Sequence, residues 1–193
     1  MRQHYGPCLA ACALVLVATS AQARAPSLDD AAGRYDIDGS SQINFSVAQT
    51  GGGGISGKFS KFSGTFQLDG KDIRKSVVEF SLFPDTVQTG EPRIEKFLRS
   101  TAIFDTANYP EIVFRSTKIT QTGKDTAEIE GKLTAKGTTR TEHFSAKLTK
   151  WNRRAISFQI EGGIYRDHYN MSAGLPIYSN IVQFDMTVNG QKH

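Results

Sequence analysis

A two-residue rhythm runs through most of this chain. Ile43, Phe45 and Val47 alternate with Asn44, Ser46 and Ala48; Phe62, Gly64, Phe66 and Leu68 alternate with Ser63, Thr65 and Gln67; Val78, Phe80 and Leu82 keep the same spacing. It returns at Ile112 and Phe114, from Ala127 through Ile129 and Gly131 to Leu133, at Phe144, Ala146 and Leu148, at Ile156, Phe158 and Ile160, and from Val182 through Phe184 and Met186 to Val188. Residues two apart share one face of a strand, so each run predicts a strand with one apolar face. Turn signals stand between many of the runs: Asp69-Gly70, Thr122-Gly123-Lys124, Lys136-Gly137 and Trp151-Asn152-Arg153. Short turns join antiparallel neighbours, because parallel strands need long crossovers. The expected fold class is all-β. Eight antiparallel strands can close into a barrel, which removes exposed edges; a two-sheet sandwich fits the pattern less well.

The longest gap between runs is Gly90 to Pro110. Pro92 suits the first turn of a helix, and Ile94, Phe97 and Leu98 recur at helical spacing, which predicts a short helix from about Pro92 to Ser100 across one barrel mouth. A second irregular stretch runs from Tyr165 to Ser179.

The N-terminal 23 residues have the layout of a secretory signal peptide: Arg2, an apolar run from Cys8 to Ala21, then Ala21-Gln22-Ala23 before the expected cut. The run is shorter than the roughly 20 residues that cross a bilayer. Leu9-Ala10-Ala11-Cys12 resembles a lipobox, but most of the apolar run follows Cys12 instead of preceding it, so lipid anchoring is the lesser alternative. Cleavage after Ala23 removes both cysteines and one basic residue, taking the formal net charge from +4 to +3. The remaining chain then has no thiol for a disulfide, a metal or nucleophilic chemistry, and its own core must hold it together. Residues 24–33 are expected to be a flexible leader, and residues 34–193 one barrel domain. The mild basic charge is compatible with transient contact with a membrane surface, and the absence of a dense Lys/Arg run argues against nucleic acid.

Catalytic motifs are scarce. Gly52, Gly54 and Gly57 formally make G-x-G-x-x-G, but the residues after Gly57 alternate as a strand, and a dinucleotide site needs a helix there. The plainer reading is a turn between the first two strands, with glycines leaving room for close approach of a ligand. His143, His168 and His193 are scattered, and no serine lies in G-x-S-x-G. No metal site, cofactor or catalytic residue is expected. The 12 Phe say more, because most fall on an inward face, where an eight-stranded barrel is either filled or holds one small ligand. Gly64 and Gly131 on that face fill nothing, which favours a slot.

Several motifs together carry a resemblance to the YceI-like family of exported lipid-binding proteins, from Tyr35 to Val188. Gly57 to Asp69, "GKFSKFSGTFQLD", resembles its G-x-F-x-x-F-x-G-x-x-x-x-D; Thr86 to Gly90, "TVQTG", is similar to S-V-x-T-G. Phe97 to Ser116, "FLRSTAIFDTANYPEIVFRS", resembles L-x-S-x-x-F-D with Y-P-x-I-x-F-x-S, and Gly131 to Arg140 resembles G-x-L-T-x-x-G-x-T. The resemblance implies a lipocalin-like barrel around a long-chain isoprenoid lipid, no catalysis, and the periplasm as location. The chain departs from the pattern at Gln49, where the family commonly has a histidine, at Arg93 to Leu98, which lack the acid and histidine of R-D-x-H-L, and at Asn170, which replaces a glycine.

The expected lumen wall is Phe45, Val47, Phe62, Phe66, Phe80, Leu82, Phe97, Leu98, Phe114, Ile129, Phe158 and Phe184, with Gln49, Gly52, Gly53, Arg93 and Arg166 at a mouth. The expected function is to hold a polyprenyl or quinone-type lipid for transport, storage or sequestration in the cell envelope. The alternative is a filled barrel acting through its surface on an envelope or membrane redox protein.

Overall fold

The computed structural model describes residues 26–193; the expected signal peptide and its cleavage point lie outside the described residues. Eleven antiparallel strands form one sheet: β1 Gly33–Ile37, β2 Gln42–Ala48, β3 Gly54–Phe59, β4 Phe62–Leu68, β5 Val77–Leu82, β6 Val87–Gln88, β7 Ile112–Gln121, β8 Thr126–Ala135, β9 Thr138–Trp151, β10 Ala155–Tyr165 and β11 Ile181–Lys192. The sheet closes where β1 pairs with β11.

Eleven strands make eight walls because the first three walls are bent. β1 and β2 pair with successive stretches of β11, Ile37 opposite Gly190 and Gln42 opposite Thr187. β4 pairs with β1 and β3 with β2; β5 then pairs with β4, and β6 with β3. Each bent pair therefore serves as one wall, and β7 to β11 are continuous walls. The result is a closed eight-walled antiparallel barrel in simple up-and-down order, a geometry that leaves the middle open for a small ligand.

At Ser60–Lys61 the bend costs one step of parity. Phe59 is buried at the end of β3, and β4 then buries the even-numbered Phe66 and Leu68. Extra residues of this kind bend a strand and reset which side chains face in. At the β8–β9 turn, Lys136 and Gly137 both have positive φ, 46° and 73°, the conformation that two-residue hairpins favour.

The helix predicted near Pro92 is present as α1, Pro92–Arg99. Arg99 holds it against the adjoining wall, donating to the carbonyls of Asp85 at 2.7 Å and Val87 at 2.8 Å, while Glu95 accepts from the Thr89 amide at 2.9 Å.

The leader expected to be flexible is docked from Ser27 onward. Leu28–Ala31 form a 3-10 turn with Leu28 and Ala31 buried. The Leu28 amide donates to the Lys124 carbonyl at 3.1 Å, and the buried Tyr35 hydroxyl donates to the Ala31 carbonyl at 3.0 Å. The polar look of "SLDDAAG" conceals Leu28 and Ala31, which find apolar partners under the barrel.

Candidate functional site

The barrel interior holds two apolar cavities in line. The upper, of about 130 Å³, reaches from mid-barrel to the end covered by α1; the lower, of about 90 Å³, reaches to the end crossed by the 3-10 turn at Leu28. Phe80, Phe114, Phe144 and Met186 line both and form a waist. On β8 the upper cavity is lined by Ala135 and the lower by Ala127. The eight residue steps between them span about 26 Å of strand at 3.3 Å each, or about 20 Å along the axis at a tilt near 40°.

Of the expected wall residues, Phe45, Val47, Phe80, Leu82, Phe97, Leu98, Phe114 and Phe184 line the upper cavity, and Phe66, Ile129 and Phe158 the lower. Phe62 does not line either. It has the inward parity of Phe66 and Leu68 and pairs with Leu82 across β4 and β5; it is half-buried and stacks on Phe80 with ring centroids 6.3 Å apart. Phe59, one step before the bend, takes a wall position in its place.

The many rings leave the axis open because glycines let them lie against the wall. A Cβ on Gly131 would overlap the Phe114 ring, one on Gly162 the Phe144 ring, and one on Gly190 the Phe66 ring. Gly131 is therefore the seat of an aromatic ring, and the slot arises from where the ring rests. Edge-to-face contacts fix the rings further: Phe114 meets Phe144 at 5.3 Å and Phe66 meets Phe158 at 5.7 Å.

The upper mouth is built from irregular backbone. On one side lie α1 and the segment after it, which adds Ile103 and Phe104 to the wall; on the other lies the stretch following β10, which adds Met171, Ala173 and Tyr178. Lys136 ties the two together, donating to the Thr101 carbonyl at 2.7 Å and the Asn170 carbonyl at 2.8 Å. The glycine turn, with Gln49, Gly52 and Gly53 exposed, is docked beside this stretch: Thr50 donates its amide to the Ile177 carbonyl at 2.9 Å, and Ser179 donates to the Ala48 carbonyl at 2.8 Å. None of these three residues lines the cavities, and neither does Arg93, which is exposed on α1.

Arg166 lies at the upper mouth. It is only 5% exposed and lines the upper cavity, but its guanidinium donates to the carbonyls of Ser179 at 2.8 Å, Ala173 at 2.8 Å, Tyr178 at 3.3 Å and Met171. Its role is to clamp the mouth stretch, which leaves little of the fork for a ligand. Burial pushes its pKa down, partly opposed by the neighbouring Asp167 charge. Next to it Tyr169 is fully buried and donates to Glu142 Oε1 at 2.6 Å, securing the same stretch to β9. Apart from Arg166 and Tyr178, every residue lining the two cavities is apolar.

Phe144 and Met186 are wall residues outside the expected set, although both sit on inward faces and extending the parity finds them. Ile103, Phe104, Met171 and Tyr178 carry no periodic signal, because they lie outside the strands. His168 lies 3.9 Å from Asp167 with both side chains substantially exposed, and the pair does not line the lumen.

A family model described as a YceI-like domain matches residues 35–191. Among curated relatives, Protein YceI of Escherichia coli O17:K52:H18 is 31% identical over 164 residues, covering 81% of this chain and 85% of the relative. Among solved structures, Burkholderia cenocepacia BcnA superposes with a TM-score of 0.74 at 22% identity, covering 79% of this chain and 98% of that one. A polyisoprenoid binding domain from Saccharophagus degradans, implicated in plant cell wall breakdown, superposes with a TM-score of 0.68 at 17% identity, covering 82% and 98%.

Proposed function

The chain belongs to the YceI-like family, and from that premise we propose that it is an exported binding protein, not an enzyme, that holds the tail of a long-chain isoprenoid lipid inside its barrel. The observation that carries this reading is the pair of aligned cavities with an almost wholly apolar lining. The polyisoprenoid binding described for the Saccharophagus degradans domain, which shares the fold, supports the same ligand class. Each buried carbon of a tail is worth about 0.8 kcal/mol. A few isoprene units therefore reach micromolar affinity, about −8 kcal/mol, without a strong head-group contact and after ordering costs. That agrees with a mouth whose one buried cation is already engaged by backbone carbonyls.

The proposed location is the periplasm, on the strength of the Met1–Ala23 layout. The tail passes through the upper mouth during transient contact with a membrane. Phe97, which lines the upper cavity, is 43% exposed, and Ile177 beside the glycine turn is 58% exposed. The reading as a filled barrel acting through its surface loses ground to the cavities.

The test is organic extraction of protein purified from its native envelope, followed by mass spectrometry. A polyprenyl or quinone-type lipid in the extract is the expected result. Protein that carries no lipid and binds no added isoprenoid overturns the proposal.

A further inference from the structure

Resting on the isoprenoid reading above, we infer that the 3-10 turn Leu28–Ala31 is the floor of the lumen and that Leu28 sets the longest tail the protein accepts. The lower cavity is a lined space with Leu28 among its wall residues, and the turn that carries Leu28 crosses the end of the barrel opposite α1. That turn is fastened on several sides. Leu28 donates to the Lys124 carbonyl in the β7–β8 turn, and Tyr35 Oη donates to the Ala31 carbonyl while accepting from Trp151 Nε1 at 3.2 Å. Lys192 Nζ, near the end of β11, donates to the Ala32 carbonyl at 3.1 Å. Gly70 packs so closely on the same segment that a Cβ there would overlap Ala32. The segment is thus tied to the turns and strand ends around that mouth, with its one large apolar side chain turned to the cavity and 3% exposed.

A barrel closed at one end is a blind tunnel. A tail entering past α1 first fills the upper cavity, then must pass the waist at Phe80, Phe114, Phe144 and Met186, and stops at Leu28. Short tails lie wholly in the upper cavity and do not sense the floor. Long tails use the lower cavity, and every carbon beyond its capacity stays in water and adds nothing to affinity. Chain-length selection is therefore a property of the leader segment and of the small residues beside it, Ala127 and Ala146, which keep the lower cavity open.

The experiment compares wild type, Leu28→Ala and Ala146→Phe. Geraniol, farnesol, geranylgeraniol and solanesol compete for the delipidated proteins, complexes are read by native mass spectrometry, and circular dichroism checks folding. Leu28→Ala deepens the tunnel and raises solanesol binding relative to geraniol. Ala146→Phe fills the lower cavity and weakens solanesol by about tenfold or more, with geraniol changed by less than about twofold. If Leu28→Ala does not fold, Ala146→Phe alone decides, because it alters the lower cavity from β9 and leaves the leader intact. The same chain-length ranking in the folded variants as in wild type overturns the inference and leaves the isoprenoid reading standing. A wild type that binds none of the four alcohols overturns both.

Discussion

Arg166 shows how much one side chain can determine in this protein. Its guanidinium is buried beside an apolar cavity, and its partners are carbonyls of the mouth stretch from Met171 to Ser179. From sequence it reads only as a mouth residue, since nothing in "YRDHYN" reports what the backbone around it will do. Arginine suits the task because its rigid fork serves several acceptors at once, whereas lysine offers three donors from a single point. Arg166→Lys should therefore leave several of these half-buried carbonyls without their donor, at up to about 1–3 kcal/mol for an acceptor left buried and unpaired. The expected outcome is a loss of about 2 kcal/mol or more in urea unfolding, with proteolytic cleavage appearing between Met171 and Ser179. An unchanged midpoint would mean that the clamp contributes nothing. The glycine run teaches a related lesson. Gly51, Gly52, Gly53 and Gly54 all have positive φ, from 76° to 149°, so the run that looks like slack in the sequence is a defined turn that other residues would strain.

Among the elements, those with a strict period are legible in the sequence and those without are not. Eight apolar alternations correspond to eight walls, and Lys136-Gly137 marks its hairpin, because pleat and turn chemistry are local. The parity step between β3 and β4 is not legible, since Ser60–Lys61 carries no glycine or proline to announce it, and Phe59 is missed as a wall residue as a result. The leader escapes a sequence reading for the same reason: Leu28 docks on a mouth assembled from residues distant in sequence. The 3-10 turn Arg166–Tyr169 is held to β9 by Tyr169 and Glu142, a contact that makes a pH prediction. Burial, and then the hydrogen bond to the Glu142 carboxylate, raise the Tyr169 pKa far above that of an ordinary tyrosine; burial raises Tyr35 as well. The folded state therefore holds these protons more tightly than the unfolded chain, whose tyrosines titrate near 10. Their stabilisation is complete below about pH 10 and is lost as pH rises beyond it. Melting temperature should fall steeply above about pH 10, and Tyr169→Phe should be less stable at neutral pH but flatter in the alkaline range. Parallel alkaline slopes in the two proteins would contradict the assignment.

Taken whole, the molecule balances two demands that usually conflict: a barrel needs large side chains inside to be stable, and a tail needs the same space. The compromise is visible in the rings lying on Gly131, Gly162 and Gly190, which keep aromatic surface in the wall and off the axis. The candidate site is legible in the sequence to the extent that the strands are, because inward parity alone places Phe45, Phe80, Phe114 and Phe184 on one lumen; the division of that lumen into two cavities depends on how deep each ring reaches, which periodicity does not encode. The waist is where the two demands can be separated by experiment. Phe80 is half-buried and lines both cavities. Adding bulk to a filled core costs about 1–3 kcal/mol, whereas a ring facing empty space can swing into it. Phe80→Trp should thus leave the delipidated protein within about 1 kcal/mol of wild type while weakening a fluorescent isoprenoid by about tenfold or more, because the larger ring takes the passage between the cavities. Chemical denaturation and fluorescence titration on the same preparations measure both quantities. Strong destabilisation of the empty protein, together with a wild type that binds no isoprenoid, would identify the interior as packed core and return the function to the outer surface of the barrel.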